Sequence, residues 1–397
     1  MDITLSDIKA ARRRISPYIH ETDITSVTMP NGTLYVKAEN LQKTGSFKVR
    51  GATNKILQLS YEQKMRGVLA ASAGNHAQGV AIAARNAGIA CTIVMPKNAP
   101  LSKISATREY GATVVLEGDG YDDAYAHALK IEAQTGAVFI HPFDDYDVIA
   151  GQGTIGLEIL DEHPTVEQIL IPIGGGGLAA GVAFAVKSIN PNIRVIGVEP
   201  TQAASMHKSL TQGKITTLAS ALTMADGIAV KTPGIITYAL CKQYVDEIVE
   251  VSEDEIAAAI LYLLEKAKIV SEGAGAAAVA AAISAKITPN LDTVAILSGG
   301  NIDVTLISQI IDKGLMQAGR KVVIKVLLGD RPGQLVRLLE IISNTGANIV
   351  SIRHDRMHTS APINYTVVDV VLETRNRDHI SEIYEAVGKN HSYTILD

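Results

Sequence analysis

Short apolar runs separated by longer amphipathic stretches recur along the first three quarters of the chain. Runs of strand length lie at 33–36, 67–71, 91–95, 113–116, 137–140, 168–173, 194–198 and 293–297. Helical stretches lie among them at 121–135, 178–189, 253–267 and 274–284. Apolar strands of this kind are covered on both faces in parallel sheets. Strand, helix, strand at this tempo predicts right-handed βαβ units in an open α/β fold.

The last stretch changes character. A β-branched, alternating run at 321–328 leads into Gly329-Asp330-Arg331-Pro332-Gly333-Gln334-Leu335, then into a helix with Leu335, Leu338, Leu339, Ile341 and Ile342 on its apolar face. Strands are expected at 348–352, 363–372 and 392–396, with a second helix at 379–387. That order, βαββαβ, predicts a ferredoxin-like unit, with the boundary near 314–320.

Composition sharpens this picture. The 397 residues include 33 Gly and no Trp, with aromatics at 4%. Close-packed helices on a buried sheet use small residues of this kind. Charged residues are 19% and the net charge is −5, so no basic surface invites nucleic acid or an anionic membrane. The longest apolar runs, such as 274–283, fall short of the roughly 20 residues a membrane span needs. The N-terminal segment has Asp2 and Asp7 beside Arg12, Arg13 and Arg14 and lacks an apolar core, so a cytoplasmic protein without signal or transit peptide is expected. Cys91 and Cys241 cannot build a disulfide framework, and no Cys/His spacing suggests zinc.

Four segments carry chemistry. Gly174-Gly175-Gly176-Gly177-Leu178 follows a strand and opens a helix, so its backbone N–H groups and the positive helix end suit a phosphate. The spacing is neither a dinucleotide fingerprint nor a P-loop. Ser46-Phe47-Lys48-Val49-Arg50-Gly51-Ala52 opens another helix. A lysine there is ordinarily a solvated charge, but a desolvated one has a lowered pKa and can form a Schiff base. Ser72-Ala73-Gly74-Asn75-His76-Ala77-Gln78-Gly79 and Ser298-Gly299-Gly300-Asn301 each follow a strand. All four lie where the βα loops of a parallel sheet cluster.

On these motifs the chain resembles, over essentially its whole length, the threonine ammonia-lyases of the fold-type-II pyridoxal-phosphate family that carry a C-terminal ACT domain. The resemblance implies two open, mostly parallel twisted sheets in a catalytic domain over 1–318, with a small subdomain of roughly 50–145 inserted, and an ACT domain over 321–397. It implies pyridoxal 5'-phosphate held by Lys48 and Phe47, with Asn75 on the ring hydroxyl, Ser298 on the ring nitrogen and Gly174, Gly175, Gly176, Gly177 and Leu178 around the phosphate. Substrate would meet Ser72, Ala73, Gly74, Asn75 and His76, with Glu272 of Ser271-Glu272-Gly273-Ala274-Gly275 nearby. His76 also reads as a polar residue packing near its loop. The segment 226–232 approaches the same region.

The activity so implied is α,β-elimination of L-threonine to 2-oxobutanoate and ammonia, with L-serine as a slower substrate. Serine and hydroxyaspartate ammonia-lyases are close alternatives, because one methyl group is worth only about 1–3 kcal/mol. Serine racemases carry Ser where Ala73 stands here, and Ala transfers no proton. Their cation positions match Glu199, Ala203 and Ser205, and the missing carboxylate at Ser205 argues against a metal. A regulator that kept the fold without catalysis is the reading from another class. Gly333, Gln334, Leu335, Asn348 and Ile349 are the expected effector contacts in the ACT unit, with isoleucine the effector of a biosynthetic enzyme. A homodimer or homotetramer is the family expectation.

Overall fold

The apolar runs do form strands, and these sort into three sheets. The computed structural model describes residues 3–29, 32–288, 290–358, 361–390 and 393–396. By its internal contacts the chain divides into two compact units, Met1–Asp303 and Val304–Asp397. The helix Val304–Gln317 falls with the second unit, ahead of the boundary region 314–320.

In the first unit, six strands run in the order Ile24–Met29, Gly32–Ala38, Thr293–Leu297, Gln168–Pro172, Arg194–Pro200, Glu247–Val251. Every neighbouring pair is parallel except the first. The sequence pattern leaves out Ile24–Met29 and Glu247–Val251. Both are edge strands with one buried residue each, Val27 and Val251, too little apolar signal to register. The central strands Gln168–Pro172 and Thr293–Leu297 are buried at every position.

A smaller, wholly parallel sheet runs Thr113–Leu116, Cys91–Met95, Val68–Ala71, Val138–Phe139 and has its own core. The abundance of Gly and Ala has a direct cause in the large sheet's helices. A Cβ on Gly181 would run into the Ile149 carbonyl and lie 2.7 Å from Gly153 N. The helices Tyr146–Glu162 and Gly177–Ile189 therefore meet backbone to backbone. The expected helix 253–267 is helical to Tyr262, then widens into a π-turn at Leu263–Ala267 that Lys268 ends at φ +60°.

In the second unit the antiparallel sheet runs Asn348–Asp355, Tyr365–Glu373, Lys321–Gly329, Tyr393–Leu396. Its core includes Leu338 and Ile342 of the helix Gln334–Asn344 and Ile383 and Val387 of the helix Arg377–Gly388. The strand expected from 363 begins at Tyr365, because Asn364 turns the chain at φ +73°. Residue 392 of the last expected strand lies outside the described residues. Among the described residues no helix is long and apolar enough to cross a membrane.

Candidate active site

Three of the loops at the carboxyl ends of the parallel strands are tied to one another and to the connection that leads into the helix Gly273–Ile283. Ser46 bridges Gly299, Phe47 N–H donates to Ser298 O at 3.1 Å, and Gly300 N–H donates to Gly45 O at 2.9 Å. Asn301 donates to Thr44 O and to Asn75 Oδ1, each at 2.7 Å. Asn75 in turn donates to Glu272 Oε1 at 2.6 Å. The lysine, asparagine, serine and glutamate picked from separate motifs thus share one site.

Lys48 opens the helix Lys48–Leu57, with Phe47 as its N-cap. Its ammonium donates to Pro142 O at 3.2 Å and lies 5.2 Å from the Phe47 ring centroid. No carboxylate pairs with it among the described ion pairs. Desolvation accordingly lowers its pKa from 10.5 to about 8, and the more distant Glu272 charge only partly opposes this.

The glycine loop is buried throughout. The backbone N–H groups of Gly174, Gly175, Gly176, Gly177 and Leu178 find no acceptor among the described residues, at the start of the helix Gly177–Ile189. Unclaimed buried donors at a helix N-terminus form an anion site. Phe143 closes one side: a Cβ on Gly175 would strike its ring, and one on Gly177 would lie 2.9 Å from its Cα. Thr237 Oγ1 donates to Gly175 O at 2.6 Å, and Asp144 accepts from the backbone of Ile235, Ile236 and Thr237. Phe143, Asp144 and Thr237 escape sequence reading. The signal for the first two was the position of 141–145 as one more loop after a parallel strand.

Glu272 is buried at the N-cap of the helix Gly273–Ile283. Burial first, then the Asp226 charge, pushes its carboxyl up to about 7. Asp226 is itself paired with Lys103 at 2.6 Å, so the segment 226–232 does approach this site.

Among the described residues Ser298 Oγ donates to Ala274 O alone, across a long 3.4 Å. Ser72 Oγ accepts from Gly74 N–H at 3.2 Å. Ala73 packs at the edge of the small core. His76 departs from the loop: its Nε2 meets Ile140 O at 2.8 Å and burial drives its pKa down to about 3. Glu199 spends its carboxylate on the backbone N–H groups of Met206 and His207. In the second unit Gly333, at φ +87°, caps the helix Gln334–Asn344. There Gln334 O accepts from Tyr393 at 3.1 Å, and Leu335 and Ile349 pack on the same core. Asn348 bonds Glu373 at 2.8 Å.

A part-buried lysine with no carboxylate partner among the described residues, in a site that also holds an anion cradle at the mouth of a parallel sheet, defines a Schiff-base enzyme that grips a phosphate. The chain matches the pyridoxal-phosphate dependent enzyme family over residues 15–299 and the ACT domain over 322–389, and it belongs to that enzyme family, with an ACT domain attached. It is 52% identical over 399 residues to an L-threonine ammonia-lyase of Thermotoga maritima, covering 99% of this chain and 100% of the relative. Among solved structures it is similar to the processed threonine deaminase isoform 2 of Solanum lycopersicum, with TM-score 0.74 and 41% identity over 78% of this chain and 91% of that one. Maize serine racemase is similar too, with TM-score 0.74 and 36% identity over 80% of this chain and 99% of that one.

Proposed function

We propose that this chain is an L-threonine ammonia-lyase, forming 2-oxobutanoate and ammonia, with L-serine a slower substrate yielding pyruvate. The observation that carries the reading is the part-buried amine of Lys48 without a carboxylate partner among the described residues, in the same site as the cradle of unclaimed N–H groups. Those orphaned donors fit the phosphate of pyridoxal phosphate. Gly174, Gly175, Gly176, Gly177 and Leu178 would hold it, Lys48 would carry the aldehyde end beside Phe47, Asn75 would meet the ring hydroxyl and Ser298 the ring nitrogen. When bound, the cofactor supplies an electron sink for the bond broken at Cα.

The chain's own residues supply the rest. Against an ordinary 10.5, an amine titrating near 8 has a substantial neutral fraction at mildly alkaline pH and a smaller one at neutrality, and in that neutral form Lys48 takes the Cα proton. Ser72 and the loop around Gly74 receive the substrate carboxylate. Ser298 is a neutral hydroxyl and places no fixed charge on the ring nitrogen. Ala73 has no group that returns a proton to the opposite face of Cα, which favours elimination over racemisation. We place the protein in the cytoplasm as a homodimer or homotetramer. An amino-acid effector, isoleucine in a biosynthetic setting, would bind the ACT unit at Gly333, Gln334, Leu335, Asn348 and Ile349.

The test is an absorbance spectrum of the purified protein, then addition of L-threonine, L-serine and L-3-hydroxyaspartate in turn. The reading expects a visible-edge band that Lys48→Ala abolishes, fastest release of 2-oxobutanoate from threonine, and no D-serine. Faster turnover of serine or hydroxyaspartate would move the assignment to those lyases. A protein left colourless and inert after added pyridoxal phosphate would overturn it in favour of a regulator.

A further inference from the structure

Arg50 follows Lys48 by two positions in the helix Lys48–Leu57. At about 100° per residue the two side chains leave on nearly opposite sides of the helix. Lys48 faces the site, and Arg50 enters the core with no exposed surface. Its guanidinium fork grips two carboxylates on two different elements. Nε and Nη2 donate to Glu39 at 2.8 and 2.7 Å, just beyond the strand Gly32–Ala38. Nη1 and Nη2 donate to Glu158 of the helix Tyr146–Glu162, the latter at 2.8 Å. Lys37, also fully buried, pairs with Glu158 at 3.0 Å, and Thr22 donates to Glu39.

Burying such a network contributes little net stability, because desolvation offsets the attraction. What two bidentate grips fix is orientation. Sideways movement of the helix is already blocked, since a Cβ on Gly51 would lie 2.7 Å from Val148 O and one on Gly79 would lie 3.1 Å from the Lys48 backbone. Rotation about the axis is opposed at the helix start by the Phe47 N–H bond to Ser298 O, near its far end by Asn54 Nδ2 donating to Asp147 O at 2.7 Å, and between them by the two grips of Arg50. A turn of about 20° moves an atom about 6 Å from the axis by about 2 Å, and misplacement by about 1 Å can cost on the order of 100-fold in rate.

We infer that Arg50 is a positioning residue for Lys48: its double grip on Glu39 and Glu158 sets the helix rotation that keeps the lysine amine in the cleft. The inference rests on the reading of Lys48 as the cofactor lysine. The titratable groups around that amine are Glu272, His76 and His141. Arg50→Lys leaves all three in place and keeps the positive charge, so a changed titration of Lys48 reports placement.

The experiment follows acetylation of Lys48 in the cofactor-free protein against pH, read by peptide mass. The wild type should show a midpoint of about 8. Arg50→Lys should move it upward toward the ordinary 10.5 and lower kcat about 10- to 100-fold with little change in KM. A lower melting temperature with midpoint and kcat unmoved would overturn the inference and leave the network a structural one. Should Arg50→Lys not fold, Glu39→Gln decides, since it leaves the Glu158 grip. A smaller upward shift supports the inference, and an unmoved midpoint overturns it. Failure of the functional reading shows separately, as a wild-type Lys48 peptide that takes no pyridoxal phosphate under borohydride.

Discussion

Asn75 donates its side-chain amide to Glu272 across 2.6 Å, joining residues 197 positions apart in the chain. This bond stabilises the charged form of Glu272, yet burial and Asp226 outweigh it and hold the carboxyl near 7, against an ordinary 4.5. The folded chain therefore keeps a proton that the unfolded chain releases. Stability conferred by neutral Glu272 is present below pH 4.5, declines as pH rises to about 7, and is flat above. The difference amounts to at most about 3 kcal/mol. Glu272→Gln cannot ionise, so its melting temperature relative to wild type should climb between pH 4.5 and 7 and then level off. A difference independent of pH would show that Glu272 titrates normally.

Asp226 and Lys103 should shift that plateau in opposite directions. They pair at 2.6 Å with Asp226 largely exposed, so the pair itself is worth about 0–1 kcal/mol. Asp226 raises the Glu272 pKa and Lys103 lowers it. Asp226→Asn should move the Glu272 titration to lower pH, and Lys103→Met should move it higher. The carboxyl stretching band in infrared difference spectra, assigned with Glu272→Gln, reads both. Shifts of the same sign would rule out a charge effect.

Much of the site is legible in the sequence because each part sits in a short glycine-bearing loop after an apolar strand. Lys48, Asn75, the glycine loop and Ser298 are all found that way. What stays hidden depends on partners distant in the chain. Lys48 reaches Pro142, 94 positions away, and Arg50 reaches Glu158, 108 positions away. Arg50 stands inside a motif read for its lysine, and a charged residue passes for a solvated one until its carboxylates are placed. His76 shows the limit of reading a loop as a unit. One step of about 100° beyond Asn75 turns its ring into the small core.

Phe143 lends itself to a two-residue test. Gly175→Ala would press a methyl group into the Phe143 ring. Overpacking of this kind costs about 1–3 kcal/mol, or about 5- to 150-fold in the dissociation constant for pyridoxal phosphate if it falls on the bound state. Adding Phe143→Ala removes the obstacle and should restore most of the affinity. Fluorescence titration of the cofactor-free proteins measures each corner of the cycle. If the double variant binds as weakly as Gly175→Ala alone, the methyl group disturbs the cradle by another route.

Leu338 gives the corresponding test in the ACT unit. It is fully buried on the helix that Gly333 caps, in the core shared by Leu335 and Ile349. Removing its isopropyl group leaves a cavity and should cost about 2–5 kcal/mol. A small antiparallel unit has little stability to spare, so that loss should loosen the turn carrying Gly333, Gln334 and Leu335. Leu338→Ala in the full-length protein should then blunt any response to isoleucine while leaving Lys48 and the glycine loop intact. Threonine turnover with and without isoleucine, alongside hydrogen exchange over 321–396, separates the two. An effector response unchanged in a visibly loosened unit would place the effector somewhere other than this turn.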